Sequence, residues 1–147
     1  MIKLKFQKFL LQFILCLILT ACKEYPIPFD VNRNTFYKNL DPIQQIIYKE
    51  LITKSLEKDK ISLVNLIKFD CGGASNCYWH GEILAKIAYA LGETELIKLA
   101  LDMTNIEKRY LHLLISAGLE YGEFKDKQKD LKIENEFPNL NRILQVN

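Results

Sequence analysis

Three side chains capable of chemistry lie within ten residues near the middle of the chain: Cys71, Cys77 and His80. The two cysteines can form a disulfide, or they could bind zinc with His80 and with Asp70 or Glu82 as a fourth ligand. Alternatively, Cys77 could act as a nucleophile with His80 as its base, because thiols at helix N-termini are more acidic. The spacing matches no common zinc pattern, and no residue that would orient His80 is evident. We therefore expect no metal, no cofactor and no catalytic residue here.

The segment between the cysteines predicts a loop that leads into a helix. Adjacent glycines and a Ser-Asn pair discourage regular structure, so we predict that residues 72–76 form a stiff, exposed knuckle. Trp79 lies beside it and could anchor an interface. His80 is expected at the start of the next helix, hydrogen-bonded to nearby backbone. The candidate partner-binding residues are Gly72, Gly73, Ser75, Asn76 and Trp79.

The spacing of apolar residues predicts an all-α fold, a compact bundle of about five helices within residues 41–147. The first helix is expected to begin at Asp41-Pro42, an N-cap followed by proline at the first helical position. It should end near Lys58 and bury Ile43, Ile47 and Leu51. The other expected helices run from Ser62 to Phe69, from Tyr78 to Leu91, from a cap at Thr94, and from the capping box Thr104-Asn105-Ile106-Glu107 to about Tyr121, with a short terminal helix after Pro138.

Two of these helices have clear expected faces. In the helix after the knuckle, Ile83, Leu84 and Ile87 should face the core, while Glu82 and Lys86 pair on the opposite side. The last long helix has an unusually wide apolar arc, so we predict that it is packed on two sides at the centre of the core. The inward residues expected on that helix are Ile106, Tyr110, Leu113, Leu114, Ala117 and Tyr121, with Leu111 and Ile115 widening the apolar face.

The N-terminus has the layout of a secretory signal. Lys3, Lys5 and Lys8 precede an apolar run from Phe9 to Leu19, which is too short to span a membrane. The sequence Leu19-Thr20-Ala21-Cys22 that follows resembles the lipobox of bacterial lipoproteins.

The lipobox resemblance covers residues 1–22 alone. It implies that residues 1–21 are a cleaved signal peptide and that the Cys22 thiol takes up a diacylglyceryl group. Residues 22–40 would then be a lipidated N-terminus and tether of at most ~60 Å. Whether aromatic residues dock the second half of this tether onto the domain is left open by the sequence.

The resemblance also bears on the remaining cysteines and on the charge. Cys16 would leave with the signal and Cys22 would be lipidated, so Cys71 and Cys77 would be the two remaining thiols in an oxidising compartment. We therefore expect them to form a disulfide. The three signal lysines also leave, so the 20 basic residues become 17 against 18 acidic ones. No nucleic-acid partner is expected from such a balance.

These observations predict a membrane-anchored lipoprotein with a small helical, protein-binding domain in the bacterial cell envelope. The predicted binding function includes that of an immunity or inhibitor-type protein. The alternatives are a structural or assembly lipoprotein of the envelope and, less favoured, a Cys/His enzyme. Lys23 is not the aspartate that retains enteric lipoproteins at the inner membrane. We therefore favour the outer membrane, facing the periplasm, for a Gram-negative chain, and the cell membrane otherwise.

Overall fold

The computed structural model describes residues 26–124 and 131–145 of the protein. The predicted signal peptide, the lipobox-like sequence and Cys22 lie outside these residues. The described part contains a 3₁₀ turn, Val31–Arg33, and the helices α1 Thr35–Asn39, α2 Pro42–Leu56, α3 Lys60–Ile67, α4 Ala74–Leu91, α5 Glu93–Leu101, α6 Asn105–Tyr121, α7 Ile133–Glu136 and α8 Pro138–Leu144.

The predicted all-α class is confirmed, since the described residues form helices and no strand. Five helices, α2 to α6, are eight residues or longer, and the short helix α8 begins at Pro138 as expected. None of the helices in residues 26–124 and 131–145 is long and apolar enough to cross a membrane.

Local capping signals determine where the long helices begin. The Asp41 carboxylate accepts the N–H groups of Ile43 and Gln44 at 2.9 Å, and the Gln44 side chain accepts the N–H of Asp41. Thr104 and Glu107 form the same reciprocal capping box at α6. Both predicted starts are therefore correct, because each depends on residues three positions apart.

One predicted cap is wrong. Gly92, not Thr94, connects α4 to α5, and α5 begins at Glu93. Gly92 has φ of +76°, a conformation that glycine adopts without the steric cost of a Cβ. The chain therefore turns within a single residue, and no linker remains for Thr94 to cap.

The buried face of α2 differs from the predicted one. Tyr48, Ile52 and Leu56 are buried, whereas Ile43 and Ile47 are exposed. Both sets recur every four residues, so periodicity alone does not distinguish them. The buried set is selected by the aromatic rings that pack on Tyr48.

The centre of the core is the contact between α4 and α6, the most extensive between any two helices of the described residues. The two backbones meet at Gly81 and Gly118, where a Cβ on either residue would overlap the opposite backbone. The face of α6 that contains Gly118 therefore packs inward, with Leu111, Ile115 and Leu119 buried.

The expected inward face of α6 is therefore wrong for four large side chains. Ile106, Tyr110, Leu113 and Tyr121 are exposed. The prediction that this helix packs on more than one side agrees with its contacts, since α6 packs most extensively on α4 and also contacts α3, α7 and α8, but these four side chains remain exposed.

Much of the segment expected as a tether is part of the folded domain. Val31 and Phe36 are buried in the core, and Ile27 and Phe29 pack against it. The folded domain therefore begins well before residue 41, because aromatic and aliphatic side chains in this segment gain free energy by leaving water.

Candidate functional site

Cys71 and Cys77 are joined by a disulfide, with their Cα atoms 5.1 Å apart. Gly72 has φ of +70°, and its N–H donates to the Asp70 carboxylate at 2.9 Å. Gly73 then caps α4, and the Cys77 N–H donates to its carbonyl at 3.0 Å.

This geometry corrects the expected loop. Helix α4 begins at Ala74 and not at Tyr78, so the second half of the predicted knuckle is the first turn of a helix. The turn needs only Gly72 and Gly73, and the residues from Ala74 onward are helical.

The five predicted partner-binding residues lie close in sequence, but they differ in accessibility. Gly72, Gly73 and Ser75 are exposed, whereas Asn76 and Trp79 are half-buried. The Trp79 ring packs against the hydrophobic core. The knuckle thus offers mainly backbone and small polar groups to a partner.

The residues proposed for a zinc site or for a Cys/His nucleophile do not form either site in the structure. Both sulfurs are bonded to each other, so neither is a free thiolate. His80 is fully buried, and its Nδ1 lies 2.6 Å from the Tyr48 hydroxyl. Among the described residues, no group of three or more His, Cys, Asp and Glu side chains could hold a metal ion.

His80 is a core residue, and its expected backbone contact is with Leu66, near the end of α3. The rings of Phe36 and Tyr48 lie 5.3 and 5.6 Å from it, and Phe69 packs edge-on against Tyr48 at 5.0 Å. Burial lowers the pKa of His80 to about 4, with the nearby backbone of Leu66 opposing the shift. The imidazole is therefore neutral at pH 7 and connects α1, α2 and α4.

Glu82 and Lys86 pair as predicted, but Glu82 is buried and not on a solvated face. The side-chain amide of Asn34 donates to the Trp79 carbonyl at 2.8 Å and approaches the Glu82 carboxylate at 3.5 Å. The N-terminal segment covers the Glu82 carboxylate. The Lys86 ammonium and the Asn34 amide offset the free-energy cost of removing this charge from water.

Three large apolar side chains that are exposed on α6 form a row that we call the α6 stripe: Ile106, Tyr110 and Leu113. They are 61%, 49% and 56% exposed. Their spacing of four and three residues places them on one side of the helix. Sequence reasoning identified these residues as apolar and adjacent but assigned them to the core.

A shallow hollow of about 230 Å³ lies at the N-terminal end of α6. Ile61, Val64 and Met103 form its apolar part, while Lys60, Asn65, Asp102 and Glu107 contribute polar groups. The ammonium of Lys68, 2.7 Å from Glu107, and the backbone of Thr104 hold the pKa of Glu107 at about 2. This end of the molecule thus combines apolar side chains with an ionised Glu107 carboxylate that is paired with Lys68.

Comparison of the chain with protein-family models, with curated proteins and with solved structures finds no significant match.

Proposed function

We propose that this protein is a lipid-anchored lipoprotein of the bacterial envelope whose helical domain binds another protein through the α6 stripe. The lipobox-like Leu19-Thr20-Ala21-Cys22 supports the anchor, and the Cys71–Cys77 disulfide is typical of an exported chain. The observation that carries the binding function is the outward apolar face of α6.

The α6 stripe has the composition of an interface centre. A tyrosine and two aliphatic side chains lie about half exposed or more on a helix whose opposite face is fully packed. Isolated exposed apolar residues are common, but a row on one helix face marks an interaction surface more often. Arg109 and the polar groups of the hollow lie beside it and would supply a polar rim.

The knuckle remains a second candidate contact for the same function. The α6 stripe is favoured over it because large exposed side chains contribute most of the binding energy in protein interfaces. Trp79, the largest side chain near the knuckle, already packs against the core.

The proposed location is the periplasmic face of the outer membrane in a Gram-negative cell, or otherwise the outer face of the cell membrane. An immunity or inhibitor protein is the particular form of binding function that we favour, since such proteins act at this place. A structural or assembly role is the alternative. The identity of the captured protein distinguishes them: a cell-wall hydrolase that loses activity on binding supports the first, and an envelope assembly component supports the second.

The test compares three variants of the tagged full chain in affinity capture from envelope extracts. Tyr110→Ser with Leu113→Ser alters the stripe. Ile43→Ser with Leu101→Ser is the matched control, because these two residues are equally apolar and exposed but lie on different helices, α2 and α5. We expect the first pair to lose a protein that the wild type and the control retain, with the melting temperature unchanged. A Trp79→Ala variant tests the knuckle.

Equal capture of that protein by the wild type and both serine pairs would contradict the α6 stripe as the contact. The anchor is tested separately with Cys22→Ala, which should abolish incorporation of labelled fatty acid and sedimentation with membranes. Unchanged lipid labelling in this variant would contradict the lipoprotein assignment.

A further inference from the structure

We infer that the domain is seated directly on the lipid surface, with the side that carries residues 27–34 toward the bilayer. This inference rests on the proposed lipidation of Cys22. Its basis is the folded N-terminal segment, which takes up most of the chain that would otherwise be a long tether.

The N-terminal segment is held by packing and by hydrogen bonds. Val31 and Phe36 are 4% and 2% exposed, and Ile27 and Phe29 pack against the core. Asn34 caps α1 by accepting the Tyr37 N–H at 3.1 Å, and its amide donates to the Trp79 carbonyl at 2.8 Å. The segment is thereby attached to the first half of α4.

The free tether is short compared with the domain. Five residue steps separate Cys22 from Ile27, which allows a span of about 17 Å when fully extended. A domain of this size has a radius of gyration of about 13 Å and hence a diameter of about 34 Å. The tether reaches about half a diameter, so the domain stays next to the membrane and the tethered side faces it.

The Asn34 hydrogen bond identifies what lies on the tethered side. Trp79 lies there, and its neighbour Tyr78 stacks on Tyr121 at the C-terminal end of α6, with ring centroids 4.6 Å apart. Both tyrosines are partly exposed. Tyrosine and tryptophan are the residues enriched at the headgroup level of membranes, because one end of each ring is polar.

The same geometry limits how far the α6 stripe lies from lipid. Helix α6 has 17 residues and is therefore about 25 Å long. Tyr121 ends it beside Tyr78, and Ile106 lies in its first turn at the opposite end. A partner on the α6 stripe would therefore bind within roughly one domain diameter of the bilayer surface.

Trp79 is the one tryptophan of the chain and reports its own distance from lipid. The lipidated full chain is reconstituted into phosphatidylcholine vesicles that contain dansyl-labelled headgroups, and energy transfer from Trp79 is measured. Inserting 15 Gly/Ser residues after Glu24 adds an r.m.s. reach of about 21 Å, and should lower transfer at least about twofold. The same insertion after Asn147 is the control and should leave transfer unchanged.

The outcomes separate the inference from the proposed function. A wild-type chain that does not float with the vesicles overturns the lipid anchor and the inference together. A chain that floats but shows no energy transfer from Trp79, or equal transfer with and without the insertion after Glu24, overturns the inference alone. Efficient transfer that the N-terminal insertion alone reduces supports it. Asn34→Ala, which removes the bond to Trp79, should reduce transfer in the same direction.

Discussion

Lowering the pH from 7 to 5 should destabilise the folded protein through one residue, His80. Its side chain is fully buried, and Nδ1 lies 2.6 Å from the Tyr48 hydroxyl. The arrangement that leaves the fewest groups unpaired has Tyr48 donating to Nδ1, with Nε2 carrying the proton. Nε2 makes no hydrogen bond of ordinary geometry, although the backbone of Leu66 lies near the ring. A second proton would have to enter this neutral, aromatic environment.

The magnitude follows from the two pKa values. The pKa of His80 is about 4 in the folded protein, against 6.5 for an unperturbed histidine side chain. Below pH 6.5 the unfolded chain binds a proton that the folded chain does not, so the free energy of unfolding falls as the pH drops toward 4. Between pH 7 and pH 5 the expected loss is about 2 kcal/mol. The pKa values of Glu95 and Glu107 are about 2, so their protonation affects stability at lower pH.

The assay is urea unfolding at pH 7, 6 and 5, followed by circular dichroism. His80→Asn places a side-chain amide near the position of Nδ1, and this amide does not titrate. The variant should have a lower free energy of unfolding than the wild type at pH 7, but that free energy should be nearly independent of pH between 7 and 5. His112→Asn is the matched control, because His112 is the other histidine of the chain and bonds Asn141 outside the aromatic cluster. Equal pH dependence in wild type and His80→Asn would refute the reasoning.

Four further variants test packing and the cross-link. Replacing Cys71 and Cys77 with serine should cost about 2 kcal/mol, the chain-entropy value for a seven-residue ring, and an unchanged melting temperature would contradict it. Gly118→Ala should cost about 2 kcal/mol or more, because its Cβ would overlap the backbone of α4. Gly73→Ala, in open space but at the N-cap of α4, should cost about 1 kcal/mol or less, and equal losses in the two alanine variants would disprove close packing. Ile52→Ala should cost about 2–5 kcal/mol in chemical unfolding, whereas a loss below 1 kcal/mol would contradict its burial.

Local sequence signals predicted the helix starts at Asp41 and Thr104 because each capping box is complete within four residues. The pairing of Cys71 with Cys77 also needs few residues, because the two glycines between them bring the cysteines together. The choice of buried face is not local. On α2 two rows with the same spacing compete, and Tyr48 is selected by rings that come from α1 and by His80 of α4.

By itself the sequence determined the helical class, the positions of the capped helices and the expectation of an exported, lipid-anchored chain. Only the tertiary structure decided that Gly81 and Gly118 bring α4 and α6 together, which leaves the α6 stripe outward. It also decided that the segment before Asp41 folds onto the core. Both outcomes depend on contacts between residues far apart in the chain, and helical periodicity describes one helix at a time.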